Sequence, residues 1–436
     1  MRGPRLERVN PSSLRRAFDG LPGPAQDMAR KLTRKTPREQ RVAPTLRDPD
    51  RLPTRAVWSD DDDVWIDRVR EIEPLIDAHR DEIEAAREVA GPVAEAMREA
   101  GFARIMVPTT VGGAGASLVA GTRVCEELGR LEGSVGWIAQ VTSGHGRLAD
   151  CMTAEAATAV FDGGSGVVAG SVQPTGVAKP VDGGYRLSGR WAFASGFAMA
   201  DYLVTAAKVE GPPKGVPAQV ALLVRPADVE LLDTWYTTGL LGTGSHDFVV
   251  DDLFVSEAFT FPANDVWQVL DGDGVEFGRP FGEYGPPLMA AVALGIAQRA
   301  LEEFRDLVAR KAAKPDAHWS AKLPLAYAAL GRATMTVQSA RLFLYENASA
   351  LAELGPGDPD VSLQARASCR YVIDRMLETV DEIYELAGST AIYATSRLER
   401  CFRDVQMVSH HALVSITSYG EAGEAMAASA SPPAAG

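Results

Sequence analysis

The sequence predicts an α+β protein, mainly α, and three observations carry that reading. The first third keeps helical apolar spacing, the middle switches to short β-branched and aromatic runs split by turn residues, and the last third holds four long helical stretches in succession. The expected layout is a helical part over 58–163, a β-barrel part over 164–275 and a four-helix bundle over 276–427. A basic arm at 1–57 and a flexible tail at 428–436 complete the chain.

Bulk properties fit that frame. With 436 residues, 46% of them hydrophobic and 23% charged, the chain can bury a sizeable core. A net charge of -14 argues against nucleic acid as partner. Residues 1–55 are the exception, with 14 Lys and Arg against 6 Asp and Glu. Rich in Pro, Gly and Arg and without an apolar period, this segment reads as a disordered arm, or as sequence upstream of a start at Met28. It lacks the apolar core of a secretory signal. Elsewhere the longest weakly polar run, 286–297, is too short to cross a bilayer, so a cytoplasmic location and no membrane partner are expected. Cys125, Cys151, Cys369 and Cys401 show neither paired nor His-flanked spacing, and no metal site is expected.

The elements follow in order. Ile66, Val69, Ile72, Ile76 and Ile83 mark a helix across 62–89, with Pro74 a kink or break. Pro92 starts a second helix that Gly101 ends. Two more cover 118–131 and 135–150. Strands are expected at 167–172, 185–194, 201–209, 220–224 and 246–255, the second and third as a hairpin. On the 185–194 strand the period of two puts Tyr185, Leu187, Trp191, Phe193 and Ser195 on one face, an apolar wall ending in a hydroxyl. Bundle helices are expected at 287–313, 321–353, 362–387 and 396–422.

Several local motifs then point to one family. Ser188-Gly-Arg-Trp-Ala-Phe-Ala-Ser-Gly196, Gly239-Leu-Leu-Gly-Thr-Gly-Ser245, Tyr384-Glu-Leu-Ala-Gly-Ser389 and Arg400-Cys-Phe-Arg-Asp404 occur in the order and spacing of the acyl-CoA dehydrogenase fold. Within it the chain resembles the two-component flavin monooxygenases, such as those acting on p-hydroxyphenylacetate, steroid rings and dibenzothiophene. After Arg403-Asp404 no carboxylate appears before Glu421, where a dehydrogenase of this type commonly has its base, and His411 stands seven residues past the Asp, with His410 the alternative.

The resemblance implies an oxygenase component that hydroxylates an aromatic or polycyclic substrate through a flavin C4a-hydroperoxide, from O2 and reduced flavin (FMNH2 or FADH2). A separate NAD(P)H:flavin reductase would supply the flavin, and the chain has no dinucleotide fingerprint of its own. A homotetramer is the assembly implied. The implied catalytic residues are His411, His145 and Ser195, with His411 either deprotonating a phenol or steadying a hydroperoxide proton. His145 reads equally as a polar surface or capping His. Implied flavin contacts are Trp191, Phe193, Ser195, Ser171, Thr243, Ser245, Gly388 and Ser389. Ser171, Trp137 and His410 are the pocket candidates, and Trp137 reads also as core. Leu241 stands where the family has Arg, which leaves FMN against FAD open: either another cation such as Arg299, Arg310 or Arg341, from the bundle or a neighbouring subunit, takes over, or flavin is held differently. The rivals are an acyl-CoA dehydrogenase or oxidase using Glu283 or Glu382, an N- or S-oxygenase, and a non-catalytic flavin-binding scaffold.

Overall fold

The computed structural model describes residues 62–429 apart from 162–165, 213, 273–274, 315, 354–355 and 358. The basic arm at 1–57 and residues 430–436 of the tail lie outside the described residues.

The chain opens with helices α1 (Asp63–Ala86), α2 (Gly91–Glu99), α3 (Leu118–Leu131), α4 (Gly133–Gly146) and α5 (Ala154–Phe161). α1 runs through Pro74, because Ile66, Val69, Ile76 and Ile83 bury one face along its whole length. Ser117 caps α3 by accepting the Ala120 N–H. α5 escapes sequence reading, being a single short apolar-and-alanine segment.

Seven strands follow: β1 (Val168–Val181), β2 (Gly184–Trp191), β3 (Tyr202–Val209), β4 (Gln219–Val224), β5 (Glu230–Leu232), β6 (Asp247–Ser256) and β7 (Thr260–Pro262). They form one sheet in the order β5-β6-β2-β1-β3-β4-β7. β2 pairs with β1 and β6, not with β3, so the expected β2–β3 hairpin is replaced by a parallel β1–β3 pair. One sheet face packs Val168, Val204, Ala221 and Phe261 against Val107, Leu148 and Phe161 of the helical part. The other encloses Trp191, Leu203, Leu222 and Phe248 in a core of its own. Leu222 and Phe248 stand on strands four places apart, so the sheet must curl to bring them together.

The C-terminal helices are α6 (Phe281–Ala313), α7 (Ala317–Glu353), α8 (Pro359–Ala387), α9 (Arg397–Val408) and α10 (Thr417–Ser429). α6 is the axis of the molecule, buried almost continuously from Glu283 to Gln298. It starts six residues before the expected Pro287 and passes through Pro286 and Pro287, its side-chain burial outweighing the lost backbone bonds. The expected fourth bundle helix is two helices, broken at 409–416. Arg370 of α8 satisfies the break, donating to the carbonyls of Ser409 (2.9 Å) and Val414 (3.3 Å), which a continuous helix would occupy. No described helix is long and apolar enough to cross a membrane.

Candidate active site

β2 ends at Trp191, and the chain turns through Phe193, whose φ of 66° is left-handed. Such a backbone costs on the order of 1–3 kcal/mol for a non-glycine residue and needs outside support. Support comes from the segment that leads into the neighbouring strand β6, since Ala194 N–H donates to His246 O (3.0 Å) and Gly196 N–H to Thr243 O (3.0 Å). Ser195 is thereby held against the 240–246 loop.

A row of hydroxyls results, and its proton order follows from counting donors. Thr243 gives its proton to Leu240 O (2.8 Å), so in its 2.7 Å contact with Ser245 it must accept. Ser245 has then spent its proton and accepts from Ser195 at 2.6 Å. Trp137 of α4 donates its indole N–H to Ser195 Oγ at 3.3 Å. Ser195 therefore offers a bound molecule a lone pair only. Thr243, Ser245 and Ser195 are all buried, at 1%, 2% and 5% exposed, and the first two hold Ser195 through the hydroxyl row.

Two imidazoles meet the same tryptophan neighbourhood with opposite proton placement. His411 lies in the break between α9 and α10, its ring 5.9 Å from that of Trp137 and edge-on to it. Its Nδ1 accepts the Leu413 N–H (3.3 Å), which leaves the neutral ring's proton on Nε2. His145 on α4 has the other tautomer, because its Nδ1 faces the carbonyl of Val168 at 3.3 Å and must donate. Its Nε2 is bare. Burial pushes both rings down from 6.5 to about 4, with His411 adding to the effect on His145, so both are neutral near pH 7. His410, its neighbour in the break, is exposed.

The loop carrying the hydroxyl row is fastened to the bundle. Asp404 accepts the Leu240 N–H, and Arg403 donates to Thr238 O (2.7 Å) while pairing with Glu84 and Glu399. The two neighbours thus do not pair with each other, as a helix-end ion pair would.

Other sequence candidates fall elsewhere. Trp191 is fully buried, stacked on Phe248 at 5.5 Å and donating to Ala206 O (2.8 Å). It is sheet core, sharing one face with Leu187 and the half-buried Tyr185 as expected, and only the left-handed turn at Phe193 takes that residue off the face. Phe193 by contrast is 68% exposed. Ser171 is half-buried on β1, accepting the Gln173 N–H. Gly388 and Ser389 lie in a turn at the end of α8, Ser389 exposed. Of the replacement cations, Arg299 pairs with Glu302 and Glu303, Arg341 pairs with Glu126, and Arg310 is exposed. The exposed Phe193 ring next to an acceptor-only Ser195 fits one face and one N–H of an isoalloxazine.

Neither carboxylate of the dehydrogenase reading is available as a base. Glu283 is fully buried and accepts from Arg279 (2.9 Å), Gly357 N–H (3.0 Å) and Ser362 Oγ (2.9 Å). Glu382 is held by Arg332 on the bundle surface.

Sequence reading missed Phe281, 6.3 Å from the His145 ring, and Trp235, edge-on to Phe193 at 6.3 Å. It also missed Arg147, although a single arginine in the stretch 135–149 was a visible signal.

Comparison with known proteins agrees with this architecture. The acyl-CoA dehydrogenase N-terminal and C-terminal domain models match residues 61–158 and 288–416. The chain is 32% identical over 366 residues to an indole-3-acetate monooxygenase of Pseudomonas putida, covering 80% of this chain and 92% of that protein. It is 28% identical to the oxygenase component of an FADH2-dependent resorcinol hydroxylase of a Rhizobium species, over 79% of this chain and 89% of the other. Among solved structures, the 3-HSA hydroxylase of Rhodococcus sp. RHA1 superposes with a TM-score of 0.74 at 24% identity, covering 84% and 96% of the two chains. The dibenzothiophene monooxygenase of Paenibacillus sp. A11-2 with FMN and indole gives 0.70 at 21% identity, covering 84% and 98%.

Proposed function

The chain belongs to the acyl-CoA dehydrogenase family and is one of its flavin-dependent monooxygenases, and we propose that it is the oxygenase component of a two-component system. Its substrate on this reading is an electron-rich aromatic molecule carrying an O–H or N–H donor. The observation that carries the reading is the opposed pair of neutral imidazoles beside the Trp137–Ser195 hydrogen bond.

When bound, reduced flavin supplies the electrons by which one atom of O2 enters the product and the other leaves as water. The chain's residues bind, orient and exclude solvent. Ser195, its proton spent on Ser245, accepts from a donor N–H of the cofactor, which suits a reduced ring better than an oxidised one. Phe193 gives that ring an apolar face, and Trp137 closes the wall behind it. His145 accepts the substrate's O–H or N–H at Nε2. With its pKa near 4 it orients that proton and does not remove it. His411 holds a proton at Nε2 and can donate it to oxygen at the reacting centre. The geometry thus favours the proton-steadying role for His411 over that of a phenol base.

Reduced flavin arrives by diffusion from a separate reductase on this reading, in a cytoplasmic setting. A homotetramer accounts for the apolar side chains exposed on α7 and α8, including Leu325, Met335, Phe343 and Tyr371. The deciding experiment mixes the protein with anaerobically reduced FMN or FAD, a panel of phenols and indoles, and 18O2. Hydroxylated product carrying one labelled oxygen is expected. Hydrogen peroxide as the sole oxygen product across the panel would sink the proposal.

A further inference from the structure

Arg147 follows α4 directly, two residues after His145, and is 6% exposed. Among the described residues no carboxylate or carbonyl reaches its guanidinium, and its Nε is buried without a hydrogen-bond partner. It touches only rings, 3.4 Å from the centre of Phe277 and 5.4 Å from that of Tyr284. Such stacking offsets part of the cost of burial but leaves the planar row of N–H donors unused. The nearest acidic groups are committed elsewhere. Asp150 accepts three backbone N–H groups, from Glu276, Phe277 and Gly278, and Glu276 is held by the N–H and hydroxyl of Thr109.

The guanidinium lines a cavity of about 410 Å³ together with Arg279, Phe277, Tyr284, Ser117 and Glu276, whose carboxylate is held by Thr109. Tyr284 lies 5.2 Å from Phe281, and Phe281 lies 6.3 Å from His145, so an aromatic wall runs from the imidazole to the arginine. A buried guanidinium without an acceptor is retained at a cost unless a ligand completes it, and a planar oxyanion matches its fork.

We propose that Arg147 is the anion-binding end of the substrate cleft, so that the preferred substrate is an aromatic carboxylate, its ring against His145 and Phe281 and its carboxylate on Arg147. This rests on the aromatic monooxygenase reading for the ring end alone. Arg147 is a binding residue here, and Arg279, held by Glu283, adds positive field beside it.

The test needs no turnover. Binding of indole-3-acetate and of its neutral isostere indole-3-acetamide to the flavin-free protein is measured by calorimetry. The acid should bind the native protein about 10- to 100-fold more tightly than the amide, as a charge-assisted bidentate contact would give. Arg147→Gln should abolish that preference while changing amide affinity little, and Arg147→Lys, which keeps charge but not the fork, should keep part of it. A thermal melt checks folding of each variant, and the lysine variant carries the test if the glutamine variant is unfolded. Equal binding of acid and amide to the native protein overturns the proposal. So does an Arg147→Gln effect confined to the preference for FMN over riboflavin, which would make this the site of the cofactor's phosphate. Hydroxylation of neutral indoles in the 18O2 experiment would survive either outcome, so the two failures are distinguishable.

Discussion

Asp404 of α9 accepts the backbone N–H of Leu240 at 2.6 Å, across 164 residues of sequence. Leu240 sits at a left-handed φ of 49°, and its own carbonyl takes the proton of Thr243. One carboxyl group in the bundle therefore sets the start of the hydroxyl row that ends at Ser195.

That carboxyl group makes stability depend on pH. Burial, and then the charge of Glu132, raise the Asp404 pKa from 3.8 to about 8. The folded state then binds more protons than the unfolded one between those values, so stability falls as pH rises through that window. Asp404→Asn imitates the protonated form and keeps an acceptor for Leu240. Thermal midpoints measured from pH 5 to 8 should decline less in Asp404→Asn than in the native chain, and an equal decline would remove Asp404 as the cause.

The imidazoles act in the opposite sense. His145 and His411 titrate near 4 when folded against 6.5, so the unfolded chain binds more protons in between, and stability drops as pH falls from 6.5 to 4. His145→Gln should flatten that limb of the melting profile, which scanning calorimetry in acetate and citrate buffers can follow.

His411 does two separable jobs, as a cap and as a proton donor. His411→Asn retains an acceptor for the Leu413 N–H, whereas His411→Ala loses it at a cost of about 1 kcal/mol. Both should lower product formation by about 100-fold, the usual size of a lost proton-handling group. Only the alanine variant should melt earlier.

Ser195→Ala leaves the Trp137 N–H without its acceptor and the cofactor without a lone pair. Losing one such hydrogen bond weakens reduced-flavin binding by about three- to tenfold. Peroxide released per O2 consumed should rise, read by a peroxidase-coupled assay against product quantified by chromatography.

Glu283 is a scaffold group, so acyl-CoA should not bleach protein-bound FAD. Glu283→Ala removes a fully buried carboxylate that Arg279, the Gly357 N–H and Ser362 all bond, at a cost of about 3–5 kcal/mol, and should lower the melting temperature sharply. Bleaching by acyl-CoA that is lost in Glu283→Gln would restore the dehydrogenase reading.

The order of helical, β and helical parts was legible because each switch in apolar period is local. Ser195, Thr243 and Ser245 were each singled out through a resemblance in two short motifs, but their hydrogen bonding to one another was visible only in the fold. What escaped depends on distant partners. The break at His410–His411 contains neither Gly nor Pro, and Arg370 satisfies it from another helix. The period of two placed Trp191 with Tyr185 and Leu187, but the left-handed turn that sends Phe193 outward could not be seen in it. Arg147 gained meaning only when its lack of an acceptor became visible.

The Trp137 indole, hydrogen-bonded to Ser195 on one side and edge-on to His411 on the other, is also an optical reporter built into the cleft. Its emission would be quenched by a chromophore docking within a few ångströms, so the difference in fluorescence between the native chain and Trp137→Phe isolates occupancy of this one site from the other tryptophans. Cofactor arrival and departure can then be timed in the unlabelled protein, independently of whether oxygen is ever transferred.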